Sequence, residues 1–246
     1  MPSTEPSIHT VVATVVVTLI GTLLSNGSAY SKETSAHSKR HTDNIAAAMQ
    51  FVRSQGESPS SVALTRLGDE LLRGGRCEEA VTNFELAIKQ IPQSLPYLWQ
   101  YGIALYFVER YDDARVLFEK HRLVNANDVE NAAWHFLCVA KANNLSQARS
   151  ILLPAPGDTR VPMEAVLQRL PGGDFSAIRS AIAETENSPQ HQDAKFYGDL
   201  YMGLIADAEG DRKAALDHLN RAAATPMTHY MADIARVYAR HLSDQD

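Results

Sequence analysis

A recurrence every 34 residues constrains this chain more than any other feature. Leu67-Gly68, Leu71, Ala80, Phe84 and Ala87 are answered 34 residues later by Tyr101-Gly102, Leu105, Ala114, Phe118 and His121. One period further on, Ala148 and Leu152 hold the Ala and Phe slots of a weaker copy. A clear copy returns as Met202-Gly203, Ala206, Gly210, Ala215, Leu219 and Ala222. Gly203 follows Gly102 by 101 residues, one short of three periods, which leaves room for two degenerate units between them. Self-similarity at a period of about 20–50 residues marks units that cannot bury their apolar face alone and must stack on one another.

Each unit reads as a pair of helices. "LGDELLRGGRCEEAVTNFELAIKQIP", residues 67 to 92, is two amphipathic patterns hinged at Gly74-Gly75. Alternating β-branched runs bounded by turn residues, the signature of strands, do not occur beyond the first thirty residues. The pattern predicts a leading helix over 43–54 and hairpins near 61–92, 95–126 and 129–153. A degenerate pair near 162–186, a hairpin near 193–224 and a last helix over 228–242 follow. "LLPAPGDTRVP" (152–162) is too proline-rich for helix and interrupts the regularity, as does "LPGGD" (170–174).

Leu64, Leu67, Gly68, Leu71, Ala80, Phe84 and Pro92 match the slots of the tetratricopeptide repeat, Trp-x2-Leu-Gly-x2-Tyr, then Ala-x3-Phe, then Pro. The chain resembles that repeat class. The resemblance implies an all-α fold, a right-handed superhelix of tetratricopeptide-type hairpins, with 228–242 as a C-terminal capping helix. Physics accounts for the slots. Gly and Ala lie where two helices cross and a larger side chain would hold the backbones apart; Leu, Tyr and Phe fill the space between layers. Pro92 ends the second helix because it lacks the N–H that would continue it.

Composition excludes several function classes. The 246 residues carry a formal charge of −6, opposite to the basic face that phosphate backbones require, so no nucleic acid is expected as a partner. Cys77 and Cys138 stand far apart in no metal-ligand or redox spacing. The nine histidines form no HxxxH or HExxH set, so neither metal nor cofactor is expected. "VVATVVVTLIGTLL" (11–24), followed by "SNGSAYS", has the length of a signal-peptide core, with cleavage expected after Ala29. The preceding "MPSTEPSIHT" lacks the usual Lys or Arg, so an uncleaved anchor is the alternative, and a membrane is expected as a partner only through such a segment. Residues 1–29 are read as this leader or anchor, 30–42 as a linker and 43–246 as the repeat domain. Export to the periplasm or cell envelope is the resulting expectation, with the cytoplasm as its alternative if the segment is not a signal.

Paired acids at Glu78-Glu79 and Asp112-Asp113 suit acid–base hydrolysis as a residue type. Their position at the start of second helices gives them a plainer role, offsetting the helix dipole. Two constellations remain as candidate sites. In a repeat of this type one face of each first helix lines the concave groove; the offsets place Trp99, Ile103 and Tyr106 there, with Phe107 beside them and Arg73 in the preceding unit. Such a stripe suits anchoring a peptide. The second is polar: His135 and His229, surrounded by Asp128, Glu130, Asn131, Arg160, Asp233 and Arg236. It forms a ligand or catalytic pocket if the superhelix brings these segments together, and an interhelical polar network otherwise.

Residues 101–143, "YGIALYFVERYDDARVLFEKHRLVNANDVENAAWHFLCVAKAN", are similar to the corresponding region of NlpI-type bacterial lipoproteins, and "FYGDLYMGLIADAEGDRKAALDHLNRAA" (196–223) resembles their late repeat. The resemblance implies an exported, non-enzymatic adaptor that docks enzymes acting on the cell wall. The lipoproteins carry a Cys directly after the signal, whereas no Cys precedes Cys77 here, so a lipid anchor is not implied. The expected function is a scaffold whose groove binds a segment of another protein. The alternative is a small-ligand or enzymatic site at His135 and His229. Edges of helical stacks also invite self-association, making a homodimer a further expectation.

Overall fold

The computed structural model describes residues 37–244, which are helical throughout apart from turns and loops, with no strand among them. The chain divides into two units, Met1–Arg40 and His41–Asp246. Of the first, residues 37–40 are described and are helical; the expected leader and its cleavage position lie outside the described residues. Helix is also the state of 41 and 42, which the sequence assigned to a linker.

The second unit opens with α1 (41–54) and continues with α2 (Ser61–Arg73) and α3 (Cys77–Gln90). A 3₁₀ segment (Pro92–Tyr97) leads into α4 (Trp99–Phe107) and α5 (Tyr111–His121). Then come α6 (Val129–Ala142), α7 (Leu145–Ser150), α8 (Met163–Arg169), α9 (Ser176–Glu184), α10 (His191–Ala208), α11 (Arg212–Ala223) and α12 (Tyr230–Ser243). Helix starts are set by local chemistry: Ser60, Asp128, Asn144 and Asp211 each accept a hydrogen bond from a backbone N–H of the turn they open. The acid pairs Glu78-Glu79 and Asp112-Asp113 occupy the first turns of α3 and α5, where Arg76 binds Glu79 and Arg110 binds Asp113.

The helices pack as successive antiparallel pairs, α2 with α3, α4 with α5, α6 with α7, and α10 with α11. The recurring Gly and Ala explain the closeness of each pair. A Cβ on Gly102 would lie 2.7 Å from Phe118 Cζ and 2.8 Å from Leu117 Cδ2; one on Gly203 would lie 2.7 Å from Leu219 Cγ. Only hydrogen fits at these crossings, opposite the large residue of the partner helix. α6 is followed by a six-residue stub, and α10 reaches back to pack on α6, α8 and α9.

Helix α12 does more than cover α11. It packs along α11 and also against α2. Its side chains meet those of the earlier helices: Tyr230 stands edge-on to Trp99, with centroids 4.8 Å apart, and Tyr238 touches Tyr106, Phe107 and Trp134. Met231, Ile234, Val237, Tyr238 and Leu242 are buried, a gross gain on the order of 10 kcal/mol at about 1.5–3 kcal/mol per large apolar side chain. Polar locks accompany it. Buried Asp233 accepts from Arg73 Nε at 2.9 Å and from Arg236 Nη1 at 3.1 Å, with His41 Nε2 at 3.2 Å. Asp207 of α10 accepts from Tyr238 Oη at 2.6 Å and pairs with Lys141 at 2.9 Å.

Candidate functional site

One cavity of about 210 Å³ opens where α4, α5, α6, α10 and α12 converge. α4 contributes Trp99 and Ile103, one turn apart; α5 contributes Phe118 and His121. The N-terminus of α6 brings Asp128, Glu130, Asn131 and Trp134, α10 brings Tyr197, and the start of α12 brings His229, Tyr230 and Met231. Helical spacing explains the grouping. Residues three or four apart share a face, as do Trp99 with Ile103, Phe118 with His121, and Asp128 with Asn131.

The polar wall is rich in acceptors. Asp128 caps α6 by accepting from Glu130 N at 3.1 Å, and the same Oδ1 accepts from Arg160 Nη2 at 2.9 Å. Glu130 accepts from Tyr201 Oη at 2.7 Å and from Arg160. Burial raises the Glu130 carboxyl above the ordinary carboxylate range, although Arg160 and the Tyr201 hydroxyl both oppose the rise. Arg160 also binds Asp158, so one guanidinium serves three carboxylates and leaves a surplus of negative charge. Its plane lies over the Tyr197 ring at 5.7 Å.

Two buried side chains on this wall keep an acceptor without a protein partner. His121 Nδ1 lies 2.8 Å from the carbonyl of Pro96 and therefore carries the proton that bonds it; Nε2 has no hydrogen bond. Asn131 donates through Nδ2 to the Phe118 carbonyl at 3.1 Å, leaving Oδ1 unpaired. Trp134 Nε1 is likewise unpaired. Buried polar atoms left in this state are rare, and each calls for an explanation.

His229 begins α12. Its Nδ1 accepts from Ala232 N at 3.3 Å, and its ring stacks on Tyr197 at 5.9 Å. Burial holds its pKa below the ordinary imidazole value, favouring the neutral ring, although Asp193 and Asp233 oppose the shift. His135 belongs elsewhere. It is 1% exposed, is not among the cavity-lining residues, and its Nε2 faces Glu119 at 3.4 Å. Burial lowers its pKa as well. The expected pairing of His135 with His229 in one pocket does not form: they line different surroundings.

The groove residues also separate. Trp99 and Ile103 are on the cavity wall. Tyr106 and Phe107, 2% and 5% exposed, are interior and covered by Tyr238, with Tyr106 Oη and Tyr238 Oη 2.6 Å apart. A peptide cannot reach these two while α12 is seated. Arg73 is committed to Asp233, and Arg236 to Asp233 and the carbonyls of Thr225 and Met227. These three form the lock on α12, and the cavity wall is made by other residues.

Sequence reasoning missed His121, Trp134, Tyr197 and Tyr230 as wall residues. His121 gave a signal, occupying the slot that Ala87 holds in the preceding copy. Tyr197 gave none, since one aromatic within a helical run carries no mark of the face it will share. The described residues contain no group of His, Cys, Asp and Glu arranged to hold a metal ion, and none of their helices is long and apolar enough to cross a membrane. Neither thiol suits nucleophilic chemistry: burial pushes Cys77 up to about 12 and Cys138 higher still. Comparison of the chain with models of known protein families and with curated proteins finds no match.

Proposed function

We propose that this chain is a non-catalytic interaction protein of tetratricopeptide type, a right-handed superhelix whose inner face binds a segment of another protein through the cavity beside α12. The observation that carries this reading is the convergence of five helices on one opening with aromatic walls and unpaired acceptors. Aromatic side chains offer contact area at small entropic cost and dominate binding energy where they line a pocket. The Gly-Ala-Phe register of the pairs supports the repeat class, and the apolar run at 11–24 supports export to the cell envelope. Non-catalytic action fits the chemistry present. His229 spends Nδ1 on capping its own helix, the wall carboxylates are held by Arg160 and Tyr201, and both thiols are protonated.

The partner segment inserts one side chain, because α12 occupies the remainder of the inner face. Crosslinking capture from the envelope fraction tests this, comparing wild type with Trp99→Ala and with the exposed control Leu123→Ala, whose parent residue is 81% exposed. A partner retained by the control and lost with Trp99→Ala is expected. A partner set indifferent to Trp99 would refute the reading. The cavity volume favours a second reading, a small-ligand receptor: about 210 Å³ exceeds the ~150 Å³ engineered cavity that takes up benzene.

A further inference from the structure

We propose that the cavity is a receptor for a primary ammonium group carried on a short apolar or aromatic body. This rests on the reading that the cavity is a binding site, and it names the chemistry of what enters.

The polar wall asks for donors. His121 Nε2 and Asn131 Oδ1 have no hydrogen bond, and their side chains are 6% and 4% exposed. The third acceptor is Asp128 Oδ2, 4.0 Å from His121 Nε2. Its sister oxygen takes the Arg160 and Glu130 bonds, whereas Oδ2 receives only a long contact of 3.5 Å from Asn125. Two acceptors 4.0 Å apart can both lie about 2.8–2.9 Å from one nitrogen, the length of a charge-assisted hydrogen bond. Asn131 stands three residues from Asp128 on the same helix face and bonds the backbone of Phe118, itself three residues from His121. All three side chains line the one cavity, and a primary ammonium carries three N–H donors to offer them.

Charge and surface agree. Arg160 satisfies part of the carboxylate charge from the Oδ1 side of Asp128, and the surplus remains negative. An anion would meet these carboxylates, and a neutral alcohol would satisfy only one acceptor through its single proton. The body of the ligand meets Trp99, Trp134 and Tyr230, whose π-faces attract cations and whose area shelters methylene or ring carbon.

The ammonium has two sources, a lysine side chain of a partner segment or a free small amine, and one titration separates them. Calorimetry on the full chain at pH 7 would use benzylamine, Nα-acetyl-lysine N-methylamide, benzyl alcohol and tetramethylammonium. Benzylammonium is expected to bind at least tenfold more tightly than either benzyl alcohol, which lacks the charge, or tetramethylammonium, which lacks the N–H donors. Asp128→Asn retains a good helix cap while removing the charge, and is expected to weaken benzylammonium at least tenfold while circular dichroism shows the helical fold retained. Asn131→Leu, checked for folding by circular dichroism, should do the same. Binding of both amines supports the ammonium site and the partner reading together. Binding of benzylammonium without the lysine derivative supports the ammonium site and overturns the protein-segment reading. Equal binding of benzyl alcohol, or insensitivity to Asp128→Asn, overturns the ammonium site and keeps the cavity as a ligand site. No binding by any probe overturns both.

Discussion

Removing the carboxylate of Asp233 tests the central packing feature, the seating of α12 on the early pairs. Asp233 is fully buried and joins Arg73, with Nη2 at 2.8 Å and Nε at 2.9 Å, across 160 positions of sequence. Deleting one partner of a buried ion pair costs about 3–5 kcal/mol, because the other charge is left without compensation. Here the cost falls at the low end. Arg73 keeps Glu70 at 3.8 Å, and Arg236 keeps the carbonyls of Thr225 and Met227. Asp233→Ala should therefore destabilise by about 3 kcal/mol, which for a chain of this size lowers the melting temperature by about 6–12 °C. Urea unfolding at pH 7 would be followed by circular dichroism and by tryptophan fluorescence. The two tryptophans, Trp99 and Trp134, both touch α12, so their emission reports its seating directly. A double-mutant cycle with Arg73→Met should give a coupling of about 1–3 kcal/mol. The exposed pair Lys213–Asp217 serves as control and should couple by less than about 0.5 kcal/mol. A loss below about 1 kcal/mol for Asp233→Ala, or no coupling to Arg73, would mean that this ion pair does not hold α12 on the early pairs.

Gly102→Ala should destabilise by about 1–3 kcal/mol, since the new methyl would press on Phe118 and Leu117 in a packed crossing, and denaturant midpoints would measure it. Asp69 provides a pH test. Burial pushes its carboxyl up from 3.8 to about 6, outweighing nearby Arg73, so the fold favours the protonated acid. The stability this contributes is full below the unfolded value near 3.8 and is lost as pH rises through about 6. Asp69→Asn should therefore show a smaller drop in stability between pH 4.5 and pH 7 than wild type; identical slopes would contradict the assignment. Asp233 has the opposite sign. Burial alone would raise it, but the hydrogen bonds and charges of His41 and Arg73 together hold it below the ordinary value. Its stabilisation is present above about 3.8 and lost only as pH falls below that, outside the Asp69 window.

The helix pairs were legible because their packing is local. A glycine at 102 meets residues 117 and 118, about fifteen positions away, so the constraint recurs with the unit and leaves a period in the sequence. The position of α12 left no such trace. Its apolar stripe suits an end of the stack or an inner face equally well, and Arg73 carries no mark of a partner 160 residues later. The same gap explains the candidate residues. Trp99, Ile103, Tyr106 and Phe107 read as one stripe, but Tyr238 covers the second half of it and Tyr230 stands edge-on to the first, dividing interior from cavity wall. His135 and His229 sat in segments of similar polarity. Which helix faces they occupied depended on how α5 and α10 approach α6, and no local pattern encodes that.

The return of α12 to the first pairs changes how this chain acquires its structure. A plain solenoid is quasi-one-dimensional: each repeat touches its neighbours, and folding can begin anywhere and spread. In this chain α12 completes the interior of helix pairs made much earlier. Until Tyr238 arrives, Tyr106, Phe107 and Trp134 lack the ring that covers them. Synthesis from the N-terminus thus leaves an aromatic face uncovered for well over a hundred residues, in a form that chaperones recognise and that aggregation exploits. Helix α12 is the latch that ties the early helices to the late ones.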